Sequence, residues 1–545
     1  MRTRGGFGIV ASLTLALLVW LLYGSVAGLW WTFDDFFCIR FLGEESPLGY
    51  LVSPGLWRQH RMFTPFLLLS FEADMAFFGL RPAAFYVHQL VALAAASVGL
   101  FWLLRLWLAP GLALLASLLF LLGVPTGAWV QEILVRHYVE GLIFATVSVG
   151  LFVRSLREER AKLGLLSAVS YLAAILCKEI YVPLLGLLLI LPERDLRMRI
   201  RRSSAHFAVL AGYLAWRYAI LGTLLGGYGW TTRPEELSSL LLSLPGRAGA
   251  SLVGGSALAS AALIAALAAG LGAAFFRQPR AALLFLGALL LALAPVLPVS
   301  RSFHARYGGL AWLAVAVAFA FGIRALLERG AGFRVLAAVL AAIAVGAAYA
   351  ASRSRWNESF ARAEQMSAEG KFFLRMEGNE LLRHPLVPPA AMKELRWLKE
   401  EHLGLPRGAG WFADDLYLCE TPREAGRVWQ YRRATHSIAE VTSLLPGIRS
   451  GYCSNFRDVP LYADFWYEGG NFFWELGPYE TGQYAIVYGD GIEKFDVAPR
   501  AGYRHHAAVL TLRVRYEAPE GWVAVTPDIS LDLRTDRRAR WERRP

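Results

Sequence analysis

The sequence has few cysteines and lacks the common cofactor-binding motifs. It contains four cysteines in 545 residues, and none of them forms the C-x-x-C spacing of a zinc or redox site. The histidines at positions 60, 88, 137 and 304 show neither an H-x-x-x-H nor an H-E-x-x-H pattern. The chain also has no Walker loop and no G-x-G-x-x-G turn, which disfavours binding of a soluble nucleotide. We therefore expect no zinc site and no certain cofactor, and we leave open a divalent metal held by carboxylates.

Charge is also scarce, and long apolar runs take its place. Charged residues make up 18% of the chain and hydrophobic residues 56%, with a mean hydropathy of +0.41. Apolar stretches of membrane length recur through residue 351, which predicts an α-helical polytopic membrane protein with about eleven spans. We expect these spans at residues 7–29, 84–108, 110–126, 138–153, 162–178, 179–192, 204–222, 249–275, 281–298, 307–327 and 333–351.

The net charge of +12 is concentrated in short loops between the expected spans. The basic clusters are Arg154 to Lys162, Arg194 to Arg202, Arg277 to Arg280 and Arg324 to Arg334. Alternating the spans from a cytoplasmic N-terminus places every cluster on the cytoplasmic side, as the positive-inside rule requires. We therefore discard nucleic acid as a partner and expect a multi-pass protein of the plasma (inner) membrane.

The chain changes character after residue 351. Residues 352–403 have a helical pattern, and short alternating runs typical of β-strands appear after about 405. The sequence therefore predicts a transmembrane domain over 1–351 and an extracytoplasmic, or periplasmic, α+β domain over 352–545. Cys419 and Cys453 could pair there if that side is oxidising.

Two adjacent acids, Asp34 and Asp35, follow the first span within the outer loop 30–83. They lie beside aromatic residues just beyond the membrane, where idle carboxylates are costly. Such a pair is suited to a general base or to a cation partner. The alternative is an ordinary solvated turn at a helix end. Within the same loop, residues 63–80 are apolar but carry acids, and we expect them to lie in the membrane interface.

Other polar residues collect on the same expected outer face. They are Arg58, His60, Arg61, Trp129, Gln131, Glu132, Arg136, His137, Tyr138, Lys178, Glu179, Arg301, His304, Arg306 and Tyr307. Several have structural alternatives: single arginines at helix ends, such as Arg58, Arg61 and Arg301, often only extend to lipid headgroups. Lys178 and Glu179 have the alternative of a plain ion pair at a helix junction, but we favour a functional role because few other charges stand between two apolar runs. We interpret Glu132 and Arg136, spaced i and i+4, as a pair that stabilises one helix.

Together these residues favour sugar transfer. Carboxylates can take a proton from an acceptor hydroxyl, and arginine and lysine can hold a phosphate as negative charge develops on it. Because no nucleotide motif is present, the activated donor must arrive within the membrane. A lipid-linked phosphosugar meets that need.

Short motifs in a fixed order resemble those of the C-type integral-membrane glycosyltransferases, most closely their protein O-mannosyltransferase-like branch. The acid pair Asp34-Asp35 matches the family's first outer loop, and a basic-x-Pro element is similar to Arg61 to Pro65. A G-L-x-P end is similar to Gly79 to Pro82. An aromatic-His motif is similar to Tyr86 to His88, and a Ser-Lys-Glu motif resembles Cys177 to Glu179. The Arg-Tyr motif matches Arg306-Tyr307. The resemblance covers residues 10–325, but the family's Asn after the His motif is replaced by Val91, and the domain after 352 resembles no known family.

This resemblance implies roles for individual residues. Asp34 is the expected general base, and Asp35 supports it. The expected donor-phosphate ligands are Lys178, Arg306, Arg301 and Arg61, and the expected substrate-binding residues are His60, His88, Glu179, Tyr307 and His304.

We thus predict an inverting membrane glycosyltransferase that moves a sugar from a polyprenyl phosphate to a hydroxyl of a glycan, lipid or protein acceptor. The alternatives are a transporter or flippase for lipid-linked glycans, which needs charges in mid-membrane, and an envelope assembly protein.

Overall fold

A computed structural model of the chain describes most of the sequence. The described residues are 3–32, 35–42, 45–60, 62–224, 242, 244–246, 248–249, 256–277, 279–297, 303–378, 380–383, 386, 392–405, 411–413, 415–420, 426–468, 471–488, 495–497, 499–504, 509–532 and 537–543. The helices of the apolar part are α1 Thr3–Tyr23, α2 Asp35–Phe41, α3 Gly49–Val52, α4 Pro54–His60, α5 Pro65–Phe78, α6 Pro82–Leu104, α7 Pro110–Leu121, α8 Val124–Gln131, α9 Arg136–Arg157, α10 Ala161–Cys177, α11 Leu184–Ile190, α12 Leu196–Arg202, α13 Ser204–Leu221, α14 Ala257–Arg277, α15 Pro279–Leu293, α16 Gly309–Leu327 and α17 Ala331–Phe373.

Among the described residues, six helices are long and apolar enough to cross a membrane. A bent pair, α7 with α8, raises that number to seven if the two form one span. The predicted count of about eleven is therefore not confirmed, although the helical polytopic class is. The bend is 57° and falls just before Pro125, a residue that offers no backbone N–H and disfavours helix in the residue before it.

The chain divides into two compact units. Unit 1 comprises Met1–Leu29 and Phe41–Ala361, and unit 2 comprises Trp30–Arg40 and Arg362–Pro545. Within unit 1 the helices α14 and α16 pack closely where glycines meet, because a Cβ at Gly322 would collide with the carbonyl of Gly270. Small residues allow such close helix approach in membranes.

The basic loops of unit 1 that the structure describes meet at one end. Arg157 binds Glu193 at 2.5 Å, and Arg194 binds Glu159 at 3.0 Å, so the loops after α9 and after α11 are joined. Arg324 at the end of α16 donates to the carbonyl of Trp107 at 3.2 Å in the same region. Three of the predicted cytoplasmic clusters therefore share one end of the unit.

Unit 2 is α+β, as the sequence predicts. Its further helices are α18 Met392–Trp397, continued by a π-helical turn Leu398–His402, then α19 Asp415–Glu420 and α20 Leu445–Cys453. Its strands are β1 Glu380–Arg383, β2 Trp411–Ala413, β3 Arg427–Arg432, β4 Ser437–Glu440, β5 Leu461–Glu468, β6 Asn471–Gly477, β7 Gln483–Tyr488, β8 Phe495–Val497, β9 Arg500–Arg504, β10 Val509–Glu517, β11 Val523–Val525, β12 Ile529–Asp532 and β13 Arg538–Arg543.

These strands form three sheets in the described part of unit 2. A small sheet has the order β2-β1-β3-β4, with β1 parallel to both neighbours. The others are antiparallel: β13-β5-β6-β9, and β11-β10-β7-β8 with β12 also paired to β10. Alternate residues of these two sheets, such as Phe465, Trp474, Ile486 and Leu512, share one apolar core, as in a β-sandwich.

A disulfide joins Cys419 at the end of α19 to Cys453 at the end of α20. The sequence left this pairing open. The bond links the two helices that lie beside the small sheet, and its partners are separated by 34 positions.

Candidate active site

Lys178 and Glu179 lie at a break between two apolar helices. Lys178 is extended, with φ −158° and ψ 136°, and a single 3-10 turn follows it before α11. Its ammonium lies 3.4 Å from the Glu179 carboxylate and 5.8 Å from the centre of the Tyr138 ring. The side chain of Lys178 is only 6% exposed, so this positive charge is largely removed from solvent. The ion pair that was the structural alternative at this junction is present, and phosphate binding by Lys178 stays a prediction.

Arg306 lies on the 3-10 turn Ala305–Gly308 that begins α16, and it forms an ion pair with Glu132. The indole of Trp129 donates to the carbonyl of Arg306 at 2.8 Å. Trp129 can lie this close because position 309 is glycine; a Cβ at this position would overlap the indole ring. The turn that carries Arg306 is therefore fixed against the end of α8.

The two cations predicted to hold a phosphate, Lys178 and Arg306, are connected through two aromatic side chains. The Lys178 ammonium lies 5.8 Å from the centre of the Tyr138 ring, which packs at 5.7 Å against Trp129, the residue that donates to the Arg306 carbonyl. The buried imidazole of His137 also packs against Tyr138, at 4.7 Å. The structure thus brings together residues from α9, the junction after α10 and the turn before α16. Two positive charges in one partly desolvated region suit an anion.

A further buried cation, Arg217 of α13, was not predicted from the sequence. It is 2% exposed, donates to Tyr213 at 3.2 Å and to the carbonyl of Leu224 at 3.1 Å, and acts on the charge of Glu179. The sequence could have indicated Arg217, because a single arginine within an apolar stretch is a functional-site candidate by default. The Glu179 carboxylate is therefore subject to the positive charge of two residues, Lys178 and Arg217.

An apolar cavity of about 720 Å³ leads to this cluster within unit 1. At one end it is lined by Ile180 and Tyr181, which directly follow Lys178 and Glu179, and by Leu310, one turn after Arg306. Its wall continues along α16 from Leu310 to Phe321, about 16 Å at the rise of an α-helix. At the other end it reaches Trp107, next to the basic loops. Such a cavity suits a long hydrocarbon chain with its head group at the cations.

The predicted helix-stabilising pair Glu132–Arg136 is wrong. Glu132 pairs with Arg306, and Arg136 is fully buried with its guanidinium 2.5 Å from the carboxylate of Asp74. Arg136 also donates to Ser70 at 3.1 Å and to the carbonyl of Phe85 at 2.7 Å. The i, i+4 spacing failed as a guide because Glu132 lies before the first turn of α9, outside the helix.

The predicted substrate residue His88 belongs to the same network as Arg136. Its Nδ1 lies 2.7 Å from Asp74, and its Nε2 lies 3.7 Å from Glu140. Glu140 accepts a hydrogen bond from Ser70 at 2.6 Å. The side chain of His88 is 35% exposed, whereas the two carboxylates are 5% and 13% exposed. His88 is thus the most open member of a network that binds α5, α6 and α9 together.

The fully buried Gln89 joins this network to the Arg306 region. Its amide nitrogen donates to the carbonyl of Trp129 at 2.5 Å, and its amide oxygen accepts from Arg136 at 3.3 Å. The position of Trp129, and through it the turn of Arg306, thus depends on a residue that carries no charge and has no motif in the sequence.

Asp35 begins α2 in unit 2 and is fully buried. Its carboxylate accepts from the backbone N–H of Thr32 at 2.9 Å and from the Thr32 hydroxyl at 3.3 Å. A carboxylate at the first turn of a helix is favoured by the helix dipole. The supporting role predicted for Asp35 stays a prediction. Asp34 itself lies outside the described residues.

The remaining predicted residues are placed as follows. Arg61 and Arg301 lie outside the described residues, and His60 is the last residue of α4. His304 precedes the turn of Arg306, and its ring lies 5.9 Å from that of Tyr307, which is buried. Arg58 donates to carbonyls of Ile220 and Ala219 at the end of α13, a structural role. Within the described ranges no group of three or more His, Cys, Asp or Glu could hold a metal ion.

No protein-family model and no curated protein matches the sequence. Among solved structures, the chain is similar to the oligosaccharyltransferase of Archaeoglobus fulgidus in its apo form, with 10% identity, a TM-score of 0.45 and 69% of this chain covered. This chain spans 62% of the length of that protein. Archaeal oligosaccharyltransferase AglB from the same organism, in complex with an inhibitory peptide and a dolichol-phosphate, matches with 9% identity and a TM-score of 0.45, covering 88% of this chain and 75% of that one.

ArnT from Cupriavidus metallidurans bound to undecaprenyl phosphate is also similar, with 13% identity and a TM-score of 0.40 over 80% of this chain and 94% of that one. Similarities of this extent do not by themselves identify an activity.

Proposed function

We propose that this protein is a membrane glycosyltransferase of the C-type class that takes a sugar from a polyprenyl-phosphate donor. The observation that carries the proposal is the apolar cavity whose lining at one end includes Ile180, two positions after Lys178, and Leu310, one turn after Arg306. A polyprenyl chain occupies the cavity, and the two cations bind the donor phosphate through charge-assisted hydrogen bonds. Arg217 adds a further positive charge that acts on Glu179.

The chemical step is a single displacement at the anomeric carbon. Asp34 takes the proton of the acceptor hydroxyl, and the acceptor oxygen forms a bond to the anomeric carbon. The bond from that carbon to the phosphate oxygen breaks, and its electron pair leaves with the lipid phosphate. The cations stabilise the added negative charge, and the anomeric configuration inverts. Asp35, whose carboxylate accepts from the Thr32 backbone N–H, supports Asp34 in this step.

The proposed orientation places this chemistry on the extracytoplasmic face. The basic loops joined at one end of unit 1 suit the cytoplasmic side, by the positive-inside rule. The disulfide Cys419–Cys453 suits an oxidising compartment for unit 2. A periplasmic location of unit 2 in the plasma (inner) membrane agrees with both.

A lipid-linked glycan transporter is the second candidate, favoured by one observation. The network of Arg136, Asp74, Glu140 and His88 places buried charges where α5 meets α6 and α9, two helices apolar enough to cross a membrane, and transporters use such charges as ion pathways. A transporter would move the intact lipid-linked sugar between leaflets, whereas a transferase releases free polyprenyl phosphate.

The deciding experiment uses purified full-length protein in liposomes with a radiolabelled polyprenyl-phosphate sugar. We expect release of polyprenyl phosphate with transfer of the label to an added acceptor. Ala314→Trp and Val317→Trp fill the cavity and should each lower donor binding at least about 10-fold. Val339→Trp, on the 48% exposed Val339 of α17, is the matched control and should bind normally. Movement of intact donor without cleavage would instead support the transporter.

A further inference from the structure

A second cavity, of about 490 Å³, lies wholly within unit 2. Three of its lining residues are cations, Lys371, Arg375 and Lys399, and one is an acid, Glu377. Its wall also includes the indole of Trp30, four positions before Asp34 in the chain. The volume falls within the range of small-molecule sites, roughly 300–1,000 Å³.

Trp30 is held in a fixed position at this cavity. Its backbone N–H donates to the hydroxyl of Ser367 at 2.6 Å, and its ring packs against Phe36 at 5.6 Å. Gly370 lies beneath the indole, and a Cβ there would come within 2.7 Å of the ring. Ser367 and Gly370, one turn apart on α17, thus fix the position of Trp30, which precedes the acid pair in the chain.

Lys399 is the buried cation of this cavity. It is 2% exposed, its ammonium donates to the carbonyl of Met376, and it lies 5.7 Å from the centre of the Phe373 ring. Burial lowers the pKa of Lys399, and the carboxylates of Glu400, Glu377 and Glu380 act in the opposite direction. A bound anion would add to the effect of these carboxylates and keep the ammonium protonated.

The other two cations are solvent-accessible and lack ion-pair partners among the described residues. Lys371 lies in the last turn of α17, and Arg375 follows two positions after the helix ends. Cations near a helix C-terminus are stabilised by its dipole. That explains Lys371 alone, and it does not explain why three cations and an indole line one cavity.

We infer that this cavity is a subsite for an anionic saccharide, in which the cations hold a phosphate or carboxylate group and the Trp30 indole covers the sugar ring. Arginine and lysine are the residues that bind such anions, and an indole offers an apolar face with a polar N–H. The inference rests on the proposed function only in naming the ligand as the acceptor, because the cavity adjoins the segment that carries Asp34 and Asp35. The anionic group would then select acceptors, and the hydroxyl of the same saccharide would receive the sugar.

The test is ligand-observed NMR on the full-length protein in nanodiscs, without donor, using glucose 6-phosphate, glucose and inorganic phosphate as probes. We expect glucose 6-phosphate to bind at least about 10-fold more tightly than either of the other probes, and more weakly as salt is raised. Lys371→Ala combined with Arg375→Ala should weaken its binding about 10- to 100-fold. Arg362→Ala, an exposed cation on the same helix outside the cavity lining, is the control and should bind normally.

Equal binding of glucose and glucose 6-phosphate, or unchanged binding by the double variant, would overturn the subsite. Phosphate binding as tightly as glucose 6-phosphate would overturn the saccharide assignment. Lys399→Met removes the third cation and should also weaken binding of glucose 6-phosphate. If that variant does not fold, Lys399→Arg is used instead; it keeps the charge and should retain binding. Because no donor is present, Lys178→Ala should leave probe binding intact. Probe binding that persists in a protein with no transfer activity would refute the proposed function alone.

Discussion

Arg306 and Glu132 form an ion pair between positions 174 apart in the chain. Their side chains are 21% and 19% exposed, so the pair is partly shielded from water. In the proposed donor complex, the phosphate competes with Glu132 for the guanidinium. Glu132 therefore holds Arg306 in position and also weakens the positive field that the phosphate meets.

Substitutions of the two partners should have opposite effects on donor binding. Arg306→Ala should raise the donor Kd about 10- to 100-fold, because it removes a charge-assisted hydrogen bond. Glu132→Gln should lower the donor Kd roughly 2- to 5-fold, because it removes a competing negative charge. Titration of the protein in nanodiscs with polyprenyl phosphate measures both values. Arg160→Ala, on a 70% exposed side chain among the basic loops, is the control. If Arg306→Ala and Glu132→Gln weaken donor binding equally, the ion pair has a structural role only.

Lys178→Ala should weaken the donor in the same way as Arg306→Ala. The two losses should not be additive if both cations contact one phosphate, since residues that share a partner are coupled. A double-mutant cycle on donor Kd measures this coupling. Fully additive effects would place the two cations in separate sites.

Asp34→Asn keeps the shape of the side chain and removes the proposed base. We expect a loss of kcat on the order of 10²–10⁴ with little change in donor Kd. Asp35→Asn should cost less if Asp35 acts through the Thr32 contacts. Release of polyprenyl phosphate measures both rates. Near-normal turnover by a folded Asp34→Asn protein would exclude Asp34 as the base.

Arg136 and Asp74 should be important for stability. We expect Asp74→Ala to lower the free energy of unfolding by about 3–5 kcal/mol, as is typical when one partner of a buried ion pair is removed. The reason is that Arg136 would remain buried without its carboxylate. Thermal unfolding in detergent, followed by size-exclusion chromatography, measures the loss. The surface pair Arg154–Glu158, with side chains 54% and 31% exposed, is the matched control, and Glu158→Ala should change stability by less than about 1 kcal/mol.

The disulfide gives a test of compartment as well as of stability. Cys419 and Cys453 should resist a thiol reagent until a reductant is added, whereas the single variant Cys419→Ser should expose Cys453 to labelling from the extracytoplasmic side. Loss of the bond should lower the free energy of unfolding by about 3–4 kcal/mol, because the unfolded chain is no longer restricted by the closed loop. Labelling of native Cys453 without reductant would show that the bond is absent. Labelling of the variant only from the cytoplasm would reverse the proposed orientation.

The sequence alone determined the class of the protein. Long apolar runs predict membrane helices, alternating runs predict strands, and both are local patterns that follow from the periods of helix and strand. Unit 2 therefore has its predicted α+β character, with a helix first and most strands after 405. The span count of about eleven is not confirmed, because apolar runs such as α10, with 17 residues, and α11, with 7, form helices among the shorter ones of the described residues.

Only the tertiary structure decided which charges meet. Spacing favoured Glu132 with Arg136, but Glu132 binds Arg306, 174 positions away, and Arg136 binds Asp74, 62 positions away. A buried guanidinium needs a carboxylate and several acceptors, and the chain supplies them from helices that are distant in sequence. Gln89 shows the same limit, since an uncharged amide in an apolar run gives no signal until its two hydrogen bonds are seen. Sequence pattern reports what each helix is, whereas packing decides which side chains lose water together and must therefore pair.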